Sequence, residues 1–140
     1  MNHTKKGTAF ETRTVEFLRG ALPGWVRVYR PAQRSRFDVG DVWLGDGVII
    51  QCKDYATWSR ASLQKWIRDA RQQAKNAGRD HGVLVVKSRR EADVSGGSMN
   101  EALVFMSGET FSELCAEFFE ACGRVTELEA RLEVLAELER

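Results

Sequence analysis

The chain is expected to fold as an α/β domain, a mixed sheet flanked by helices, with a helical extension at its C-terminus. Three observations lead there. Apolar residues recur at helical spacing over residues 7–22, 59–78 and 111–122. Between these stretches lie short strand-like runs at 26–29, 41–44, 48–53, 83–86 and 102–106. The resulting order, αβββαββα, has a hairpin in the middle and helices on either side of it.

In the first helix Val15, Leu18 and Leu22 share a face that Phe10 and Phe17 widen, and Pro23-Gly24 ends it. Val26-Arg27-Val28-Tyr29 alternates as a strand does, and Pro31 to Phe37 is a basic loop. Asp41–Leu44 and Val48–Lys53 flank Gly45-Asp46-Gly47, a hairpin signal. Ser59 is the expected N-cap of the second helix, whose stripe of Leu63, Trp66, Ile67, Ala70, Ala74 and Ala77 stops at Gly78. Val83–Val86 is continuously apolar and should be a central strand covered on both sides. A Gly/Ser-rich loop, Ser95 to Ser98, leads to a strand at Ala102–Met106.

Phe111, Leu114, Cys115, Phe118 and Cys122 then mark a third helix. Gly123 is read as its end. Val125, Leu128, Leu132 and Leu135 follow at 3, 4, 3 spacing, about two heptads. The expected organisation is thus a domain over 1–122 and a C-terminal amphipathic helix over 123–140, a candidate dimerisation element.

Composition narrows the function classes. No run approaches the roughly 18 uninterrupted apolar residues of a membrane span, and the N-terminus enters a polar helix without an apolar leader, so a cytoplasmic location is expected. Three cysteines, Cys52, Cys115 and Cys122, all sit in apolar patterns and read as free thiols. With only His3 and His81 and no CxxC spacing, a structural zinc site lacks ligands. The net charge of +1 conceals an asymmetry: residues 1–90 hold 18 Lys and Arg against 8 Asp and Glu, residues 91–140 hold 3 against 12. A basic segment of that strength commonly faces a polyanion.

Chemistry concentrates around the hairpin. Gln51 and Lys53 are two residues apart and project from one face together with Ile49. A three-residue turn over Gly45-Asp46-Gly47 pairs Leu44 with Val48 and brings Asp41 opposite Gln51, whereas a two-residue turn sends Asp41 to the other face. Gly47 can supply the positive φ that such turns use. Glu11 heads the apolar face formed by Val15, Leu18 and Leu22. The helix dipole favours a glutamate in a first turn, while a carboxylate on a buried face requires a cation nearby.

Such a set suits phosphodiester hydrolysis, although a strand ending in polar residues at the surface fits the same spacing. Asp41, the Gln51 side-chain oxygen and the main-chain carbonyl at Cys52 offer a magnesium ion hard oxygens. The ion polarises the phosphate and acidifies a water, Lys53 stabilises the developing charge or orients that water, and Glu11 holds a second ion or a water. The basic residues of the second helix, Lys65, Arg68, Arg71, Lys75 and Arg79, are placed to track phosphates, with Arg27, Arg30, Arg34 and Arg36 nearby in sequence. Of the four tryptophans, Trp43 and Trp66 fall on apolar stripes and read as core. Trp58, after the hairpin, is the better candidate for a DNA contact.

Lys6-Gly7-Thr8-Ala9-Phe10-Glu11, Gly40-Asp41-Val42, Val48-Ile49-Ile50-Gln51-Cys52-Lys53 and Asn76-Ala77-Gly78-Arg79-Asp80-His81-Gly82-Val83-Leu84-Val85-Val86-Lys87 occur in an order that resembles phage-encoded Holliday-junction resolvases of the PD-(D/E)xK superfamily. The similarity spans about residues 5–90, and Phe-Glu and Gln-Cys-Lys also resemble the catalytic domain of Mrr-type restriction endonucleases. The resemblance implies a restriction-endonuclease-like fold and a metal-dependent, structure-selective endonuclease acting on branched DNA such as a four-way junction. It further implies magnesium, with manganese as a substitute, a homodimer, a bacterial or phage-infected cell, and the catalytic roles given above for Glu11, Asp41, Gln51 and Lys53. The alternatives are a restriction-type or general DNA nuclease, or a catalytically weak DNA-binding protein of the same fold. The sequence departs from the resolvase pattern at Gln51, where Glu is usual, which removes one formal negative charge and should weaken metal binding. Asp38 is the alternative motif aspartate; Asp41 is preferred because it opens the strand whose pairing reaches Gln51.

Overall fold

A computed structural model of the chain describes residues 3–32, 36–87 and 99–140. Its elements are α1 (His3–Ala21), β1 (Val28–Tyr29), β2 (Val42–Leu44), β3 (Val48–Lys53), α2 (Arg60–Asn76), β4 (His81–Val86), a 3-10 turn (Met99–Glu101), β5 (Leu103–Phe105) and α3 (Gly108–Leu138). This is the expected α/β order. The strands form one five-stranded sheet in the order β1-β2-β3-β4-β5. The β3–β4 pair is parallel and the other neighbours are antiparallel, so the sheet is mixed. The chain divides into two compact units, Met1–Ser107 and Gly108–Arg140.

The β2–β3 register is the one a three-residue turn dictates: Leu44 faces Val48, Trp43 faces Ile49 and Val42 faces Ile50. The positive φ lies at Gly45 (55°) rather than at the expected Gly47. The turn is held from outside. Asp80 and His81 donate their main-chain N–H groups to the Gly47 carbonyl at 3.1 and 2.9 Å, and Arg79 donates to the Gly45 carbonyl at 3.1 Å. With the loop fixed from β4, its first glycine makes the bend.

Alternation along β3 assigns its two faces. Ile50 and Cys52 look toward α1, where Phe10, Val15, Val28, Val42, Ile50 and Val85 form the core. Ile49, Gln51 and Lys53 look toward α2. There the helix lies so close to β4 that a Cβ on Gly82 would stand 2.2 Å from the Ala70 carbonyl oxygen. β4 is buried at all six positions, as its unbroken apolar run requires, and it begins at His81 rather than Val83.

α2 starts at its Ser59 cap, whose side chain accepts from the Ser62 N–H. It ends in a Schellman arrangement, Gly78 N–H to Lys75 O at 3.1 Å and Arg79 N–H to Ala74 O at 2.8 Å. α1 begins earlier than expected, at His3. The larger departure is in α3, which runs through Gly123 without a break. A lone glycine costs a helix interior only about 1 kcal/mol relative to alanine, and α3 as a whole is rich in Glu, Leu and Ala, all strong helix formers. Trp43 and Trp66 are half-buried rather than fully in the core. The expected Ser95–Ser98 loop and Arg34 lie outside the described residues. Among those described, no helix is long and apolar enough to cross a membrane.

Candidate active site

Strand pairing brings Asp41, Gln51 and Lys53 together, and α1 adds Glu11. Glu11, Asp41, Gln51 and Lys53 line one cavity of about 290 Å³, with Gly7, Asp38, Cys52, Asp54, Tyr55 and Gln73. A second cavity of about 360 Å³, lined by Arg36, Phe37 and Gly40 among others, shares Asp38 and Asp41 with the first. The aspartates therefore stand where the two hollows meet.

Asp41 enters β2 directly after Gly40, which has a φ of +86° and no room for a side chain: a Cβ there would lie 2.1 Å from Ile49 Cγ2. The Asp41 N–H donates to the Ile50 carbonyl at 3.0 Å, one residue out of the register that sets Val42 opposite Ile50. Its Oδ2 accepts from the Cys52 N–H at 2.7 Å. Burial pushes the Asp41 carboxyl up to about 6; the Cys52 N–H and the Lys53 charge pull it down, the charges of Glu11 and Asp38 push it further up. A cation placed in the cavity would offset both the burial and the repulsion. At Cys52 it is the main-chain N–H that meets Asp41, whereas sequence reasoning had nominated its carbonyl. Burial drives the Cys52 thiol up to about 12, so it keeps its proton and is no nucleophile.

Glu11 has its cation: Arg30 donates to its Oε2 in an ion pair. The cation that a carboxylate on this helix face needs is thus supplied by the residue following β1.

Gln51, almost fully buried, is held at both ends. With its amide turned so that each end meets a complementary group, its nitrogen donates to the Trp66 carbonyl at 3.0 Å. Its oxygen accepts from Lys53 Nζ at 3.2 Å and from Gln73 Nε2 at 3.1 Å. Gln73 Nε2 also donates to Asp38 Oδ2 at 2.8 Å, and Asp38 in turn accepts from the Gly40 N–H at 3.1 Å. A polar chain therefore runs Lys53–Gln51–Gln73–Asp38 along the α2 side of the hairpin. Lys53 is further steadied by the Trp66 ring, 5.7 Å from Nζ to the centroid, and Trp66 stacks on Tyr55 at 5.2 Å.

Gln73 is the site residue that sequence reasoning missed. Its signal was present: it stands three residues after Ala70 and four before Ala77, an amide on the apolar stripe of α2. Its buried Oε1 has no hydrogen-bond partner among the described residues. Gln73 thus brings to the cavity an amide oxygen that lacks a donor among the described residues. With the neighbouring Asp41 and Glu11 carboxylates, whose repulsion a cation would relieve, it could offer a divalent ion hard oxygens.

The candidate phosphate-tracking residues divide. Lys65, Arg68 and Lys75 are exposed on α2, away from its buried Ala70, Gln73 and Ala74; Lys65 pairs with Asp69 at 2.7 Å. Arg71 and Trp58 are half-buried, and Arg36 is exposed beside the second cavity. Arg79 is committed to the hairpin, bonded to Gly45 O, 3.7 Å from Asp46 and stacked 4.5 Å over Trp43. Compared with known proteins, the chain matches no family model, no curated protein and no solved structure.

Proposed function

We propose that the chain is a magnesium-dependent DNA endonuclease of the PD-(D/E)xK type, with a restriction-endonuclease-like fold, acting as a homodimer on branched DNA such as a four-way junction. The observation that carries this reading is the convergence of Glu11, Asp41 and Lys53 in one cavity, with the hairpin seating Asp41 beside Cys52 and α1 supplying Glu11. Asp41 and Glu11, with Gln73 Oε1, would hold the divalent ion, and manganese would substitute for magnesium. When bound, the ion supplies Lewis-acid polarisation of a phosphate and acidification of water.

The chain's own residues do the rest. Lys53, fixed by Gln51 and the Trp66 ring, presents its ammonium to the charge that develops on the phosphate oxygens. Arg30 orients the Glu11 carboxylate. The exposed cations Lys65, Arg68 and Lys75 bind the DNA backbone, which adds affinity without sequence preference. Gln51 serves here as the tether of Lys53 rather than as a metal ligand, because both lone pairs of its oxygen are engaged.

A second reading, a DNA-binding protein with weak catalysis, is favoured by that same engagement of Gln51 and by the Arg30–Glu11 pair, which leave fewer free ligands for an ion. One assay separates the readings: cleavage of a synthetic four-way junction and of linear duplex, each with and without magnesium. Magnesium-dependent cutting confined to the junction is expected. Equal cutting of both substrates indicates a general nuclease, and tight binding without cutting indicates the weak enzyme.

A further inference from the structure

Because α3 runs unbroken from Gly108 to Leu138, the 3, 4, 3 spacing of its last turns continues back to Phe111. The heptad a positions are Phe111, Phe118, Val125 and Leu132. The d positions are Leu114, Ala121, Leu128 and Leu135. The seam therefore occupies a and d without interruption over roughly 36 Å of helix at 1.5 Å per residue. Gly123 falls at f, farthest from the seam, where a missing side chain forfeits no packing. All four a residues, and Leu128 and Leu135 at d, are more than half exposed.

We propose that this seam pairs with the same seam of a second copy of the chain, as a parallel two-stranded coiled coil. A stripe repeating every 3.5 residues drifts by about 20° per heptad on a straight helix, so it stays in line only against a partner helix with which it supercoils. The other helices of the chain are engaged: α1 gives Phe10 and Val15 to the core, and α2 buries Ala70 and Ala74. A second α3 offers the same length, the same period and a complementary rim. In a parallel, in-register pair each g position faces e of the partner's next heptad, so Arg124 meets Glu129 twice by symmetry. Glu117 then faces Cys122 and Arg131 faces Ala136, and no like charges oppose one another. An antiparallel overlay of the full seam would pair Glu117 with Arg131 but set Arg124 against Arg124 at its centre. The outer b, c and f positions carry Glu120, Glu127, Glu133 and Glu137, which keep the far side solvated.

The inference stands on α3 alone, and its test involves neither DNA nor metal: a monomer would remove the homodimer from the proposed function and leave its cleavage chemistry standing. Sedimentation equilibrium of the full chain under reducing conditions, which excludes cross-links through Cys115 and Cys122, should show a dimer at micromolar concentration. Leu128→Glu, at a site exposed in the single chain, should raise the dissociation constant by roughly two orders of magnitude. Glu133→Gln, on the outer face, should leave it unchanged. Arg124→Glu should weaken association about tenfold, and adding Glu129→Arg should restore it. A monomeric wild type, or a Leu128→Glu variant that dimerises as well as wild type, overturns the pairing. Failure of the double variant to regain what Arg124→Glu lost overturns the parallel alignment.

Discussion

On the side of β3 that meets α1, Ile50 packs among Phe10, Val15, Val42 and Val85, all apolar and buried. One residue further, on the side that meets α2, Gln51 is equally buried but lies in a chain of amides and charges from Lys53 to Asp38. The same strand thus supports a dry face and a polar one. Area removed from water holds the first, at about 25 cal/mol per Å², and its side chains can be exchanged within limits of volume. The second gains little net stability, since each of its groups must find a partner to offset its desolvation. What it supplies is position: Lys53 is held in the wall of a cavity that Asp41 also lines. The comparison teaches that along β3 most of the apolar burial lies on one face and the polar chain on the other, with Glu11 reaching the cavity from α1.

The separation is broken most severely from the dry side. Ile50→Ala should cost about 2–5 kcal/mol of unfolding free energy, read from a denaturant midpoint, with cleavage per folded molecule retained. A loss below about 1 kcal/mol would mean that the α1 face is not what holds the fold.

Asp41→Asn should do the opposite. The folded-state pKa near 6, above the ordinary 3.8, means that the native chain holds this proton more tightly than the unfolded one. Stability therefore falls as pH rises from about 4 to about 6 and levels off above that. A neutral amide removes the penalty while keeping an acceptor for the Cys52 N–H, so the variant should gain up to about 3 kcal/mol near pH 7 and nothing below about pH 4. Urea titrations at the two pH values check the sign; a variant less stable than wild type near pH 7 would refute it.

Gln51→Glu sharpens the role of the amide. From the sequence alone, restoring the usual Glu should preserve or increase cleavage at low magnesium. The geometry reverses that expectation, because Glu would lose the donor to the Trp66 carbonyl, set a carboxylate oxygen against it and bind Lys53 more tightly. A loss of about 1–3 kcal/mol in stability and a higher magnesium requirement are expected. A lower requirement would restore Gln51 as a metal ligand. The smallest effect on the fold belongs to the outer face of α2, where Lys65→Ala with Arg68→Ala should leave stability unchanged and flatten the salt dependence of DNA affinity by about one per lost phosphate contact.

Much of this was legible in the sequence, for local reasons. Three turn residues fixed which strand positions oppose each other, and Leu44 does face Val48. The Ser59 cap and the Gly78 stop bound α2 because capping is chemistry between neighbours. The Arg30–Glu11 pair, nineteen residues apart, was invisible until the sheet brought β1 beside α1. The tether of Gln51 required α2 to lie over β3, a packing that a pattern along one strand does not contain. Gly123 misled because glycine ends helices when it supplies a turn, and in α3 it has only to continue one.

The central claim, that Asp41 rather than Asp38 serves the reaction, is tested most directly by measuring junction cleavage and junction binding for Asp41→Ala and Asp38→Ala under saturating magnesium. Asp41→Ala should lose cleavage by about two orders of magnitude or more while binding is kept. Asp38→Ala, which removes only the acceptor for Gln73 and the Gly40 N–H, should show a smaller loss. Complete loss in Asp38→Ala with an active Asp41→Ala would contradict the assignment and move the site to the other end of the Gln51–Gln73 chain.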